Sequence, residues 1–370
     1  MIRHRFALTL LLGVAVGAAV IGCGLDQRDL GHAPPDDSAD TNADTSTDVP
    51  RPPTSHVDIL FVVDNSGSMA QEQVALARGF PGFFDELFAA AAGRSIDVSM
   101  NVGVVSTDMG TMGFTVSTCS NPDGGDNGCL RNTPSPAVGG CSPTYPTFLN
   151  RQLSFGDTYP VEQLTHDFTC MATLGTDGCG FEQQFEAARM ALIDDTAAGG
   201  CNEGLVRSGS VVGVLFVSDE DDCSVRASHP EMFDQDRTDL GHLNIRCFLH
   251  REFVRTVEEC VAALQGFAGE GHAMVVGELV GVPPDVSSCT GFGDALTDCL
   301  AEPAMQEQID PALTTQLIPS CNTLMGLAFP PRRFVQLAQR FGVNAVVGSI
   351  CTDDYGGVLQ SFASRIVELM

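Results

Sequence analysis

Five runs of apolar residues punctuate the chain: Val57 to Val63, Val98 to Ser106, Val211 to Ser218, Ala273 to Val280 and Asn344 to Ile350. Apart from Asp58 and the more alternating second run, they are nearly continuous in apolar side chains, as expected of strands covered on both faces. Between them, apolar positions recur every three or four residues. Phe181, Phe185, Ala188 and Leu192 form one such stripe, Phe253, Val257, Val261 and Leu264 a second, and Val358, Phe362 and Ile366 a third. Each predicts an amphipathic helix. A longer helical pattern runs from Glu72 to Ala92, and Pro81 is expected to break or kink it, because proline lacks the N–H and crowds the preceding turn. Strands alternating with helices predict an α/β fold with a doubly wound, mostly parallel sheet and right-handed crossovers. In such sheets ligands bind beyond the carboxyl ends of the strands.

Three segments interrupt this rhythm, near 119–170, 223–250 and 281–331. They are rich in Cys, Pro and Gly and carry no long periodic run, apart from one short helix expected around Ala301 to Ile309. Loops of that length are uncommon in a folded domain unless they are functional or held in place, and their cysteines supply the means. Fourteen cysteines are present, and setting aside Cys23 leaves thirteen, so at least one is free, paired between chains, or buried and inert. Neighbours in sequence give the expected pairs Cys170 with Cys179, Cys223 with Cys247, and Cys289 with Cys299.

The first residues change the compartment. Arg3 and Arg5 precede an apolar stretch from Phe6 to Ile21, shorter than the ~20 residues that cross a bilayer, so residues 1–22 read as an export signal. Val20-Ile21-Gly22-Cys23 resembles a bacterial lipobox, which implies cleavage before Cys23, a diacylglycerol on its sulfur, and attachment to the cell envelope; Gly24 after the cysteine leans the sorting toward the outer membrane. Residues 23–56 carry seven Asp against Arg28 and Arg51, with Pro34-Pro35 and Pro52-Pro53 and few large apolar side chains. Such a segment cannot bury enough surface to fold and predicts an acidic tether with a reach on the order of 30 Å. The third division, 57–370, holds the folded domain and its inserts.

The formal charge is −28, and removing the signal, with two Arg and no acid, makes it −30; every one of the 19 basic residues is Arg. That field repels nucleic acid and favours cations or basic partners. An exported chain also meets an oxidising compartment, where disulfides are expected.

The first strand leads directly into Asp64-Asn65-Ser66-Gly67-Ser68-Met69. A carboxylate and two hydroxyls two residues apart, on the turn leaving a buried strand, suit a hard cation that takes oxygen ligands. These residues resemble the Asp-x-Ser-x-Ser signature of the von Willebrand factor A-type domain, which occurs also in integrin ligand-binding domains as the metal-ion-dependent adhesion site. The resemblance implies a Rossmann-like fold, bound Mg²⁺ (or Mn²⁺ or Ca²⁺), and a protein ligand whose carboxylate completes the coordination.

Two further elements belong to that resemblance. The family usually supplies a Thr near the start of a central helix; the aligned segment here is Gly178-Cys179-Gly180-Phe181-Glu182, and Gly180 stands at the Thr position. Glu182, expected in the helix's first turn where the dipole favours a carboxylate, is one replacement and Thr176 the other. The third element is an Asp at the end of the third apolar run, matched by Asp219 in Asp219-Glu220-Asp221-Asp222. Asp64, Ser66, Ser68, Glu182 and Asp219 are therefore the expected metal residues. Asp108 adds acidity at the same rim, and Asp353 and Asp354 are expected to cap the last helix.

An enzyme is not expected. The chain has no Gly-x-Ser-x-Gly elbow, no His-Glu-x-x-His zinc motif, and no phosphate loop, whose Lys is missing. Metal-assisted hydrolysis remains one alternative. A structural envelope component with a degenerate metal site is the other, and Gly180 is its support.

Overall fold

Thr54–Val63 (β1) is an inner strand, third in order, of a seven-stranded sheet in a computed structural model that describes residues 54–154 and 161–370. The predicted signal, Cys23 and the tether up to residue 53 lie outside the described residues. The other strands are Asp97–Ser106 (β2), Leu149–Leu153 (β3), Val211–Val217 (β4), Ala273–Val280 (β5), Gly291–Phe292 (β6) and Ala345–Ser349 (β9), and Cys321–Thr323 (β7) pairs with Gly326–Ala328 (β8) in a separate hairpin. The sheet order is β3-β2-β1-β4-β5-β9-β6, parallel from β2 to β9 and antiparallel at both edges. All five predicted strands are present. β1 starts at Thr54 rather than Val57, in register with Asp97 of β2.

Helices cover both faces. Alternate β1 side chains sort to opposite sides: Ile59, Phe61 and Val63 join one core, Leu60 and Val62 the other. The first core is closed by Ala70–Gly93 (α1), Val161–Ala172 (α2) and Gly356–Glu368 (α7); the second by Gln184–Arg189 (α3), Val257–Gly269 (α5) and Arg332–Phe341 (α6), while the short Arg246–Leu249 (α4) sits in an insert. Close packing of α7 depends on small residues. A β-carbon on Gly213 or Gly277 would come within 3.0 Å of Phe362, and one on Gly79 of α1 within 2.4 Å of Leu359. Asp58, the one acid in the β1 pattern, is buried against Arg207, whose Nε lies 2.9 Å from Oδ1 and whose backbone N–H donates to Oδ2 at 2.7 Å. Both partners hold this charge in hydrogen bonds, so its burial is tolerated.

Several sequence expectations are corrected. α1 continues through Pro81, which sits on the exposed side of the helix. α3 begins at Gln184, not Phe181, because Glu182 is drawn into a bridge with Asp108 and its carbonyl accepts the Cys223 N–H at 2.9 Å. α5 begins at Val257, where Thr256 and Glu259 form a capping box that stops the helix from reaching back to Phe253. The insert at 119–170 contains β3 and most of α2, and the helix expected around Ala301 to Ile309 is replaced by two short 3₁₀ turns, Cys299–Ala301 and Pro303–Met305.

The cysteines staple the inserts to the sheet. Cys223 joins Cys247 and Cys289 joins Cys299, but Cys170 and Cys179 are not partners: Cys179 bonds Cys119 and Cys170 bonds Cys141. The reason is backbone pairing across sequence. The Gly180 N–H donates to Thr118 O at 2.9 Å, bringing Cys119 beside Cys179, and the Ser135 N–H donates to Cys170 O at 2.8 Å, which fixes the loop bearing Cys141. Cys129–Cys201 and Cys321–Cys351 complete the set among the described residues, leaving Cys260 there as a buried thiol whose pKa burial pushes up. It is inert by burial.

Phe61 touches Phe80, Phe83 and Phe168 at ring separations of 4.9 to 5.7 Å in the centre of the first core. Phe61→Ala is expected to lower the unfolding free energy by about 3–5 kcal/mol. Urea denaturation followed by circular dichroism would show it as a lower midpoint, and an unchanged midpoint would contradict this packing.

Candidate metal centre

Asp64 is the first residue after β1 and is fully buried. The turn is built around its carboxylate: the Ser66 N–H donates to Oδ1 at 2.8 Å and the Ser218 hydroxyl to Oδ2 at 2.7 Å. Ser218 in turn accepts from Gln184 Nε2 at 2.8 Å, so the end of β4 and the start of α3 orient the same carboxylate. Gln73 of α1 donates to Asp64 O at 2.9 Å and to Gly175 O at 2.8 Å, clamping the motif against the 175–180 loop. The Ser66 and Ser68 hydroxyls lie 3.3 Å apart. Asp219, at the adjacent parallel strand end, is buried with its Oδ1 unpartnered, and its other contact is to Ser68.

The structure brings Asp64, Ser66, Ser68, Glu182 and Asp219 to one rim. Glu182 reaches it from the segment before α3 rather than from the helix's first turn. Together with Thr176, Ser66, Ser68 and Glu220 it lines a cleft of about 690 Å³. Gly180 is explained by crowding, since a β-carbon there would come 2.9 Å from Thr118 Oγ1; on Gly178 it would come 2.1 Å from the Asn65 side chain. The loop passes too close to its neighbours to carry a Thr.

Two residues escaped sequence reasoning. Thr107, just after β2, is fully buried and lies beside Asp64, whose charged form its hydroxyl favours, yet Oγ1 has no hydrogen bond of good geometry. Glu72, in the first turn of α1, is buried with Oε2 unpartnered and feels the Asp64 charge. The hydroxyl that the 178–180 loop lacks is offered instead from the end of β2. A sequence signal existed, since Val105-Ser106-Thr107-Asp108 closes a strand at the carboxyl rim, but nothing local told Thr107 from Ser106.

Burial dominates the electrostatics. It raises the pKa of Asp64 and drives those of Glu182 and Asp219 well above the ordinary range, with Glu220 the next cause at Glu182 and Asp64 the next at Asp219. Burial, then Asp64, pushes Glu220 up to about 7. Acids held this close oppose one another's ionisation unless a cation is present. Unpartnered carboxylate and hydroxyl oxygens around a buried Asp are donors of the type Mg²⁺, Mn²⁺ and Ca²⁺ take, so the residues present fit such an ion.

Other acids have structural work. Asp222 accepts the Phe185 N–H at 2.8 Å at the start of α3 and pairs with Arg333 at 2.9 Å. Asp108 accepts the Gly110 N–H at 2.9 Å in a turn, and Asp354 accepts the Gly356 N–H at 2.8 Å before α7. Cysteine also clusters with His166, Asp108 or Asp195, but each cluster contains both halves of a disulfide, so its sulfurs are not thiolate ligands.

No protein-family model matches the chain, and no curated protein matches it. Among solved structures it is similar to the pilus adhesin SpaC from Lactobacillus rhamnosus GG, at 12% identity and a TM-score of 0.28, over 61% of this chain and 25% of the adhesin. The open conformation of SpaC gives 14% identity and the same TM-score of 0.28, over 60% and 24% of the respective chains. The chain thus spans about a quarter of the adhesin's length. No helix among the described residues is long and apolar enough to cross a membrane.

The raised acids set a pH dependence. An acid whose pKa is higher folded than unfolded binds its proton more tightly in the folded state, so its stabilisation is full at low pH and is lost as pH rises toward the folded value. Unfolded Glu and Asp titrate near pH ~4, and Glu220 folded titrates at about 7. In chelator, the melting temperature is expected to fall between about pH 4 and pH 7. A flat or rising profile over that window would show that these acids are not confined as the geometry has them.

Proposed function

We propose that this chain is an envelope-anchored lipoprotein whose von Willebrand A-type, doubly wound domain binds a protein ligand through a divalent cation, as an adhesin or scaffold. The observation that carries the reading is the buried oxygen shell around Asp64: Asp219 Oδ1 and Thr107 Oγ1 lack hydrogen bonds, beside the rim hydroxyls of Ser66 and Ser68, which lie 3.3 Å apart. Asp64, Ser66, Ser68, Asp219 and Glu182 would hold Mg²⁺, with Mn²⁺ and Ca²⁺ suiting the same oxygens, and Thr107 stands in for the family's Thr. The adjoining cleft gives a partner's Asp or Glu access to the cation. Binding rather than turnover follows, because a partner carboxylate in the open coordination position contributes affinity that the surrounding surface must complete.

Lipidation of Cys23 would anchor the chain to the envelope, by the outer membrane, with the acidic segment as a spacer. The strong negative charge argues against nucleic acid as a partner. A second reading, a structural envelope component with a silent metal site, is favoured by one feature, the glycine at position 180.

The test uses the mature chain carrying Cys23→Ser, which needs no lipid. Titration with Mg²⁺, Mn²⁺ and Ca²⁺ is expected to raise the melting temperature, with a stabilisation of about 2.7 kcal/mol once the free ion exceeds its Kd a hundredfold. Asp64→Ala and Asp219→Ala should remove the effect. No rise in the parent protein would eliminate the metal-dependent reading. If Glu182→Ala leaves ion affinity unchanged while Asp64→Ala abolishes it, Glu182 is not a ligand, and Thr107→Val then tests the alternative hydroxyl.

A further inference from the structure

A second cavity, of about 300 Å³, opens beside the metal cleft and shares Glu182 and Glu220 with it. Its remaining walls come largely from the two inserts after β4 and β5. Its apolar lining includes Phe248, Leu317 and Phe329, each partly buried, and the exposed Leu327, all available to an occupant. The lining is also acidic. The cavity is lined by five carboxylates, Glu182, Glu220, Asp221, Asp222 and Glu307, against two guanidinium groups, Arg251 and Arg333.

Those two arginines are already engaged. Arg333 is held by Asp222 at 2.9 Å, and Arg251 pairs with Glu307, which Arg332 also approaches at 3.4 Å. Among the described residues Glu182, Glu220 and Asp221 have no cationic side chain within ion-pair distance; Asp221 accepts only the backbone N–H of Arg333, at 3.1 Å. Glu182 is 3% exposed, and its carboxyl meets its own backbone N–H and the Glu220 carboxyl. Two acids sharing a contact at a cavity wall, with no cation beside them, are a costly arrangement that a cationic occupant relieves.

We propose that this cavity binds the arginine side chain of a partner polypeptide. The stem of an arginine suits the apolar wall, and its planar guanidinium, with five donors, can satisfy several separated carboxylates where a compact ammonium satisfies fewer. Aromatic faces suit the same group, and Arg251 already lies over the Phe248 ring at 5.7 Å. The cavity is preformed: Cys223–Cys247 ties the acidic strand end to one insert, and the Phe329 N–H, donating to Asp219 O at 2.9 Å, ties it to the other. The site does not need the cation. Asp221 and Phe248 line this cavity and not the metal cleft.

The experiment is calorimetric titration of the mature Cys23→Ser chain with Nα-acetyl-arginine amide, in chelator and in Mg²⁺. Nα-acetyl-citrulline amide, of the same shape but uncharged, is the control ligand. Arginine amide is expected to bind saturably in both buffers and at least tenfold more tightly than citrulline amide. Asp221→Asn and Phe248→Ala, checked for an unchanged melting temperature, should each weaken it at least fivefold, while Asp64→Ala leaves it unchanged. Equal binding of citrulline amide, absence of saturable binding, or folded Asp221→Asn and Phe248→Ala variants with the parent affinity would each overturn the proposal. So would loss of binding in Asp64→Ala alone, which would assign the arginine to the metal cleft.

Discussion

Asp64, Asp219, Glu182 and Glu220 are crowded at the carboxyl ends of β1 and β4, and the rest of the structure has to hold them there. Two parallel strands side by side deliver Asp64 and Asp219 to the same edge, since residue 63 of β1 pairs with residue 217 of β4. Confinement of like charges away from water opposes folding, so the surroundings must supply stability from elsewhere. They do so through two apolar cores, one on each face of the sheet, and through six disulfides among the described residues. A disulfide that closes a long loop contributes about 2–4 kcal/mol.

The disulfides lie where the acids are. Cys119–Cys179 fastens the loop that precedes Glu182, and Cys223–Cys247 fastens the chain directly after Asp222. The inserts are therefore not loose decoration, since they form much of the wall of the smaller cavity and contribute Ser120 and Asn244 to the metal cleft. Gly178 and Gly180 let the 175–180 loop press against the Asp64 turn and the 116–120 segment, and that contact leaves no room for a longer side chain.

Glu182 and Glu220 line the two cavities at once. A divalent cation on one side and a guanidinium on the other would answer the same excess of negative charge by different routes. Both would suit a chain whose formal charge is −28, a field that favours cations.

Local patterns in the sequence carried much of this. Continuous apolar runs located β1, β2, β4, β5 and β9, because strands buried on both faces admit few polar residues, and the turn after β1 put Asp64, Ser66 and Ser68 at the carboxyl rim. The acids ending the β4 run put Asp219 at the same rim. The short edge strands β3 and β6, the helices α2 and α6, and the start of α3 were hidden, since each is fixed by pairing or packing with distant segments. The Cys119–Cys179 pairing and the place of Thr107 beside Asp64 were equally hidden. The sequence by itself determined which oxygens emerge from which strand, because strand identity and the turn that follows are local. Only the tertiary structure decided which of those oxygens share a space, which acids are already satisfied by Arg207 or Arg333, and which remain without a partner, because burial and charge pairing arise between segments far apart in the chain.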